Sequence, residues 1–209
     1  MTELAIAEID DLAHRRRRVL VEPAGVDLAR AESAAADLLS ALGVDLRKPG
    51  LADTPGRLAR AYAELLDQSA FDLTTFENGE DYDELVLVED IPVRSLCEHH
   101  MLPFVGVAHV GYLPDDSVLG LSKFARVVDF FSRRPQTQER LTKEVADCLQ
   151  RELSPRGVGV VIEAEHTCMT LRGARAVGSR TVTSALLGRI REDAATRSEF
   201  LALARRERR

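Results

Sequence analysis

The chain has 209 residues, 45% apolar and 30% charged, a balance that excludes wholesale disorder and suits one compact domain with an extension. Its formal net charge of −6 excludes a broad grip on nucleic acid, so an anionic ligand must meet a local basic cluster. The start Met1-Thr2-Glu3-Leu4 is not a basic-then-apolar leader, and no apolar run approaches the roughly 18 residues that span a bilayer. These features predict a cytoplasmic protein with no membrane partner. Three cysteines without an export signal predict reduced thiols, and metal binding over disulfides.

In chain order, residues 1–25 read as a flexible, weakly structured arm in which Arg15–Arg18 form a solvated charge run and His14 is exposed. The rest divides into a helical part over 26–83 and a catalytic part over 84–209. Leu28, Ala31, Ala35, Leu38 and Leu42 mark a helix over 27–42. Asp53-Thr54-Pro55 opens a second, with a capping side chain ahead of a first-turn proline, running through Leu58, Tyr62, Leu65 and Leu66. Strands follow at Leu85–Val88 and Phe104–Tyr112. Two helices come next, one marked by Leu121, Phe124, Ala125, Val128 and Phe131, the other by Leu141, Val145, Cys148 and Leu149, with Pro135 between them. Strands over 158–168 and 181–190 and a helix from about Asp193 close the chain. This ββ-αα-ββ order predicts an α+β fold: a four-stranded antiparallel sheet with two helices on one face. The other face and the sheet edges then call for subunit association.

The densest chemistry lies between the first two of those strands. Cys97-x-x-His100 offers two metal ligands from one tight loop. If the strand over 158–168 stays regular, His166 and Cys168 share one face, and that face can meet the Cys97 loop. Three protein ligands, Cys97, His100 and Cys168, make an open site of the catalytic kind, leaving His99 and His166 for proton transfer. Two thiolates and an imidazole favour zinc over magnesium or calcium. His109 in a strand and Cys148 on an apolar helix stripe read as structural.

Four motifs add a resemblance. Ser95–Gly106, Gly120–Lys123, Gln138–Thr142 and Glu163–Gly173, in this order, closely resemble GTP cyclohydrolase I, and the likeness covers about residues 27–205. It implies the tunnelling fold, in which subunit sheets join into a barrel. It also implies rings of five subunits, usually stacked as a decamer, with active sites between subunits. The reaction implied is that of GTP and water giving 7,8-dihydroneopterin triphosphate and formate. Zinc would activate the attacking water near neutral pH. His166 near N7 of guanine and His99 in later ring-opening steps would carry protons, with the division between them open.

By the same resemblance Glu139 reads the guanine edge, with Gln138 beside it in the substrate site, and Ser122 lies near the ribose. Lys123, Arg126 and Arg172 would meet the triphosphate, and Arg57 is either a further phosphate ligand or a plain helix residue. Pro135 stands where many relatives carry leucine, without removing a chemical group. A zinc-holding scaffold and a relative acting on another purine or pterin are the competing readings. Intact histidines, Glu139 and the basic cluster oppose both. The downstream pathway (folate, another pterin or a deazapurine) stays open.

Overall fold

The computed structural model describes residues 5–11 and 14–20 as backbone and residues 25–205 in full. The chain divides into two compact units, residues 22–68 and the remainder.

The smaller unit is a helix pair, α1 (Leu28–Ala41) and α2 (Thr54–Leu65). Asp27 caps α1, its carboxylate accepting the Arg30 N–H at 2.9 Å. Asp53 sits at the N-cap of α2 but makes no capping bond, contrary to expectation. Its carboxylate instead lies 3.5 Å from the Arg57 guanidinium, a stronger attraction for it than a neutral amide.

The larger unit holds two sheets. The first has the order β1-β2-β3-β6, from Ala5–Asp11, His14–Leu20, Phe71–Glu77 and Ser117–Leu119. Strands thus stand where a weakly structured arm is expected. The β1–β2 register sets Glu8 opposite Arg17 and Asp10 opposite Arg15. The other residues of the expected arm, 1–4, 12–13 and 21–24, lie outside the described residues, as does the His14 side chain.

The second sheet has the order β7-β4-β5-β8-β9: Pro135–Gln136, Val86–Cys97, Pro103–Leu113, Gly157–His166 and Thr181–Gly188. The four long strands are antiparallel, as the sequence pattern predicts. The short β7 is an addition, running parallel to β4 at the edge, where Pro135 costs no ladder donor needed further out. Helices α3 (Leu121–Ser132) and α4 (Gln138–Leu153) pack on one face. Phe124, Val127, Val128 and Phe131 of α3 and Leu141, Val145, Cys148 and Leu149 of α4 meet Phe104, Ala108, Val110, Val160 and Ile162 of the sheet. Each such large side chain contributes on the order of 1.5–3 kcal/mol by leaving water.

Part of the opposite face is covered by the chain's own C-terminus. There α6 (Arg189–Glu192) and α7 (Ala194–Ala204) bring Ile190, Phe200 and Ala204 onto Leu113 and Val161. The fit is close: a Cβ on Gly159 would stand 2.7 Å from the Phe200 ring. Among the described residues no helix is long and apolar enough to cross a membrane.

Candidate metal centre and neighbouring histidines

The β4–β5 connection is a tight five-residue turn, residues 98–102, closed on Cys97. The Cys97 carbonyl accepts from the N–H of His100 at 3.2 Å and of Met101 at 2.8 Å, while the Cys97 N–H donates to Leu102 O at 2.8 Å. Met101 takes φ +53°, the left-handed conformation that turns the chain back into β5. The result folds the His100 side chain over Cys97, with Nδ1 3.6 Å from Sγ.

The third residue arrives differently from expectation. The strand ends at His166, and Cys168 lies in a single helical turn, α5 (Thr167–Thr170). Strand alternation therefore does not bring His166 and Cys168 together. The turn instead brings Cys168 to Cys97 and His100, anchored by the Thr167 hydroxyl donating to Pro103 O at 2.6 Å. The ligand atoms of Cys97, His100 and Cys168 all lie within 4.8 Å of one another. Ligands about 2.0–2.3 Å from a tetrahedral ion stand about 3.3–3.8 Å apart, so a small inward movement completes the cage. Cys97 is buried, Cys168 half-buried and His100 exposed, which leaves the group open on one side.

The electrostatics fit a cation. Burial, then the charge and hydrogen bonding of Cys97, push the Cys168 thiol above its ordinary range, with Arg172 opposing. Two adjacent thiols resist ionising together unless a positive ion holds both. The chain therefore offers a metal-binding site at Cys97, His100 and Cys168.

The neighbouring histidines differ. The His99 ring is 66% exposed, with Nδ1 3.9 Å from the Cys97 sulfur and Nε2 3.8 Å from the Glu98 carboxylate. Arg140 donates to Glu98 at 2.5 Å, to Gln136 Oε1 at 2.7 Å and to Pro135 O at 2.9 Å, tying the turn to α4 and β7. Pro135 thus bears directly on the turn that carries Cys97. His166 is half-buried, stacked on Phe104 with ring centroids 4.5 Å apart and planes 10° from parallel. Its Nε2 lies 2.8 Å from Gln138 Oε1. Burial holds its pKa below the ordinary 6.5, while the nearby Glu139 carboxylate pulls the other way.

Other expected residues fall into place unevenly. Glu139 is exposed in the first turn of α4, close enough to His166 for its charge to be felt. The Gln138 side chain is buried and turned inward. Arg172 follows α5 and is exposed, its charge reaching Cys168. Ser122, Lys123 and Arg126 ride on α3, outside the cysteine–histidine cluster. Gly120 is the helix cap there. Arg57 belongs to the helix pair, where it donates to Gly50 O at 3.1 Å and Thr54 Oγ1 at 3.3 Å. His109 accepts the Asp90 N–H at 3.3 Å across the β4 bulge, and Cys148 is buried in the core.

Residues 31–205 match the family model described as GTP cyclohydrolase I. The chain belongs to this family. A relative from Streptomyces avermitilis named GTP cyclohydrolase 1 is 55% identical over 184 residues, 85% of this chain and 90% of its own length. Relatives of the same name from Thermobifida fusca, 52% identical over 186 residues, and Mycolicibacterium gilvum, 51% over 200, span 87% and 93% of this chain and 90% and 98% of theirs. Membership covers both units, since the match begins inside α1 and ends after α7.

Three features of the site escaped the sequence: the Phe104 stack, the inward turn of Gln138 and the Arg140–Glu98 brace. Gln138 and Arg140 flank Glu139 in the matched motif, but no spacing shows that Gln138 alone of the three is buried.

Proposed function

We propose that the chain is a zinc-dependent GTP cyclohydrolase, acting in the cytoplasm, which converts GTP and water to 7,8-dihydroneopterin triphosphate and formate. The observation that carries the reading is the convergence of Cys97, His100 and Cys168 within 4.8 Å in a member of this family. Two sulfurs and an imidazole nitrogen suit zinc, which when bound supplies the Lewis acidity that activates water near neutral pH.

The chain's own residues would do the rest. His166 delivers a proton at N7 of guanine, which makes C8 more electrophilic, and His99 serves the ring-opening steps. The Glu139 carboxylate accepts from N1–H and the 2-amino group. Ser122 assists proton movement at the ribose. Lys123, Arg126 and Arg172 neutralise the triphosphate on an otherwise acidic protein, with Arg57 a further candidate. Gln138 adjoins the base through its place next to Glu139.

The reading includes a tunnelling-fold barrel of joined sheets, rings of five, and a decamer with sites shared between subunits. It is supported by the edge position of β9 and by Val105 and Val182, 47% and 53% exposed on apolar strands.

Incubation of zinc-loaded protein with GTP tests the function. Formate release and a product of the dihydroneopterin triphosphate mass, fluorescent after oxidation, are expected. Metal uptake with GTP left intact would reduce the chain to a zinc-holding scaffold.

A further inference from the structure

The interior of the larger unit contains a hydrogen-bond chain whose polarity is fixed from end to end, and it ends on a histidine. Gln138 opens α4 with its side chain 1% exposed. Its amide nitrogen lies 3.0 Å from Ile162 O, 2.9 Å from Thr181 O and 3.1 Å from Thr183 Oγ1. Two of these are backbone carbonyls of β8 and β9, which can only accept. The third is an acceptor by elimination. The Thr142 hydroxyl spends its one proton on Gln138 O at 2.7 Å, so in the 2.6 Å contact between Thr142 and Thr183 the Thr183 hydroxyl is the donor. Its oxygen is then left to receive the amide N–H.

A flipped Gln138 amide would therefore press its oxygen against two carbonyl oxygens. That orientation is excluded, and Oε1 must face His166. An amide oxygen has no proton to give, so across the 2.8 Å contact the donor is His166 Nε2–H. Phe104, stacked on the imidazole, fixes the plane of the ring.

We infer that Gln138 is a positioning residue that locks neutral His166 in its Nε2–H tautomer, so that Nδ1 is the atom through which this histidine exchanges protons. The catalytic consequence rests on the function proposed above, whereas the tautomer itself does not. The inference gives the buried side chain of Gln138 a role through His166, distinct from contact with the substrate. It also explains why a buried amide with four polar neighbours is built into the first turn of a helix, where its donors can reach two strands at once.

The test reads the tautomer directly. Zinc-loaded full-length protein labelled with ¹⁵N-histidine is examined by solid-state NMR above the titration range of the ring, with the His166 signals assigned by their loss in His166→Asn. The expected pattern is protonated Nε2 and unprotonated Nδ1. In Gln138→Met, which keeps the bulk and removes the acceptor, the signals should move towards a mixture of tautomers. Under the proposed activity, kcat should fall on the order of 100-fold with KM for GTP little changed, near the lower end of what a positioned proton-transfer group contributes.

A wild-type His166 protonated on Nδ1 would overturn the inference, as would a Gln138→Met variant that keeps both tautomer and kcat. If that variant fails to fold, the wild-type spectrum decides alone. An Nε2–H tautomer in a protein that leaves GTP untouched would sustain the lock while refuting the proposed reaction.

Discussion

Phe104 and His166 are ladder partners on adjacent strands, and their rings lie face to face at 4.5 Å. Phe104 is fully buried, so the fixed wall of the core serves as the platform for a half-buried imidazole. Phe104→Leu should keep the fold, lowering stability by about 1–2 kcal/mol, while freeing the ring to rotate. A drop in kcat of roughly tenfold is expected from steady-state kinetics, since orientation is part of what a proton-transfer group contributes. Unchanged kcat in a folded variant would make the stack mere packing.

The metal centre gives the next expectation. Cys168→Ser replaces a thiol by a weaker, harder ligand in the single helical turn α5. Metal content and activity should both fall, while far-UV circular dichroism stays near that of the parent. Full zinc occupancy in the variant would take Cys168 out of the ligand set.

Guanine selection is expected to depend on Glu139, exposed beside His166. Glu139→Gln keeps the size but replaces one of two acceptors by a donor. Activity on GTP should be strongly weakened with metal content unchanged. Retention of full kcat/KM would mean that the base is read by other residues.

His99→Ala and His166→Ala should each lower the rate by about 10²–10⁴-fold, with zinc content near the parent value. Single-turnover product analysis would separate their steps. Loss of zinc from His99→Ala, with His100→Ala retaining it, would reverse their roles.

Cys148 should be chemically silent. Burial pushes its thiol up to about 12, with Arg151 lowering and Glu152 raising it to lesser degrees. Because the folded form disfavours the thiolate, iodoacetamide at pH 8 should leave Cys148 unmodified until the protein is unfolded. The same shift sets a sign for stability. Below pH 9.0 the thiol is neutral in both states and its contribution is intact; from there towards about 12 the unfolded chain ionises first and stability declines. Rapid alkylation of Cys148 in native protein would contradict its burial.

Much of this protein was legible without coordinates, for a local reason. Helical and strand periodicity depend on near neighbours, so α1 to α4, α7 and the four long strands were predicted in order, with most ends displaced by a few residues; β4 is the exception, running on to Cys97 where the pattern ended it at Val88. Cys97-x-x-His100 was equally readable, because one turn places both side chains. The matched motifs supplied the family, whereas Cys168 was expected from strand alternation.

Prediction stopped where the deciding contact joined distant segments. The arginine run became β2 because β1 and β3 lie on either side of it, a pairing that no charge pattern announces. Regular alternation up to Cys168 failed because α5 interrupts the strand after His166. The stack on Phe104 and the inward turn of Gln138 depend on strand register and on carbonyls from β8 and β9 that meet only in the folded sheet. The sequence by itself determined which chemical groups the protein possesses and the local elements that carry them. Only tertiary structure decided which of those groups share one site and which nitrogen of His166 faces its partner, because a hydrogen bond is set by distance and direction in space.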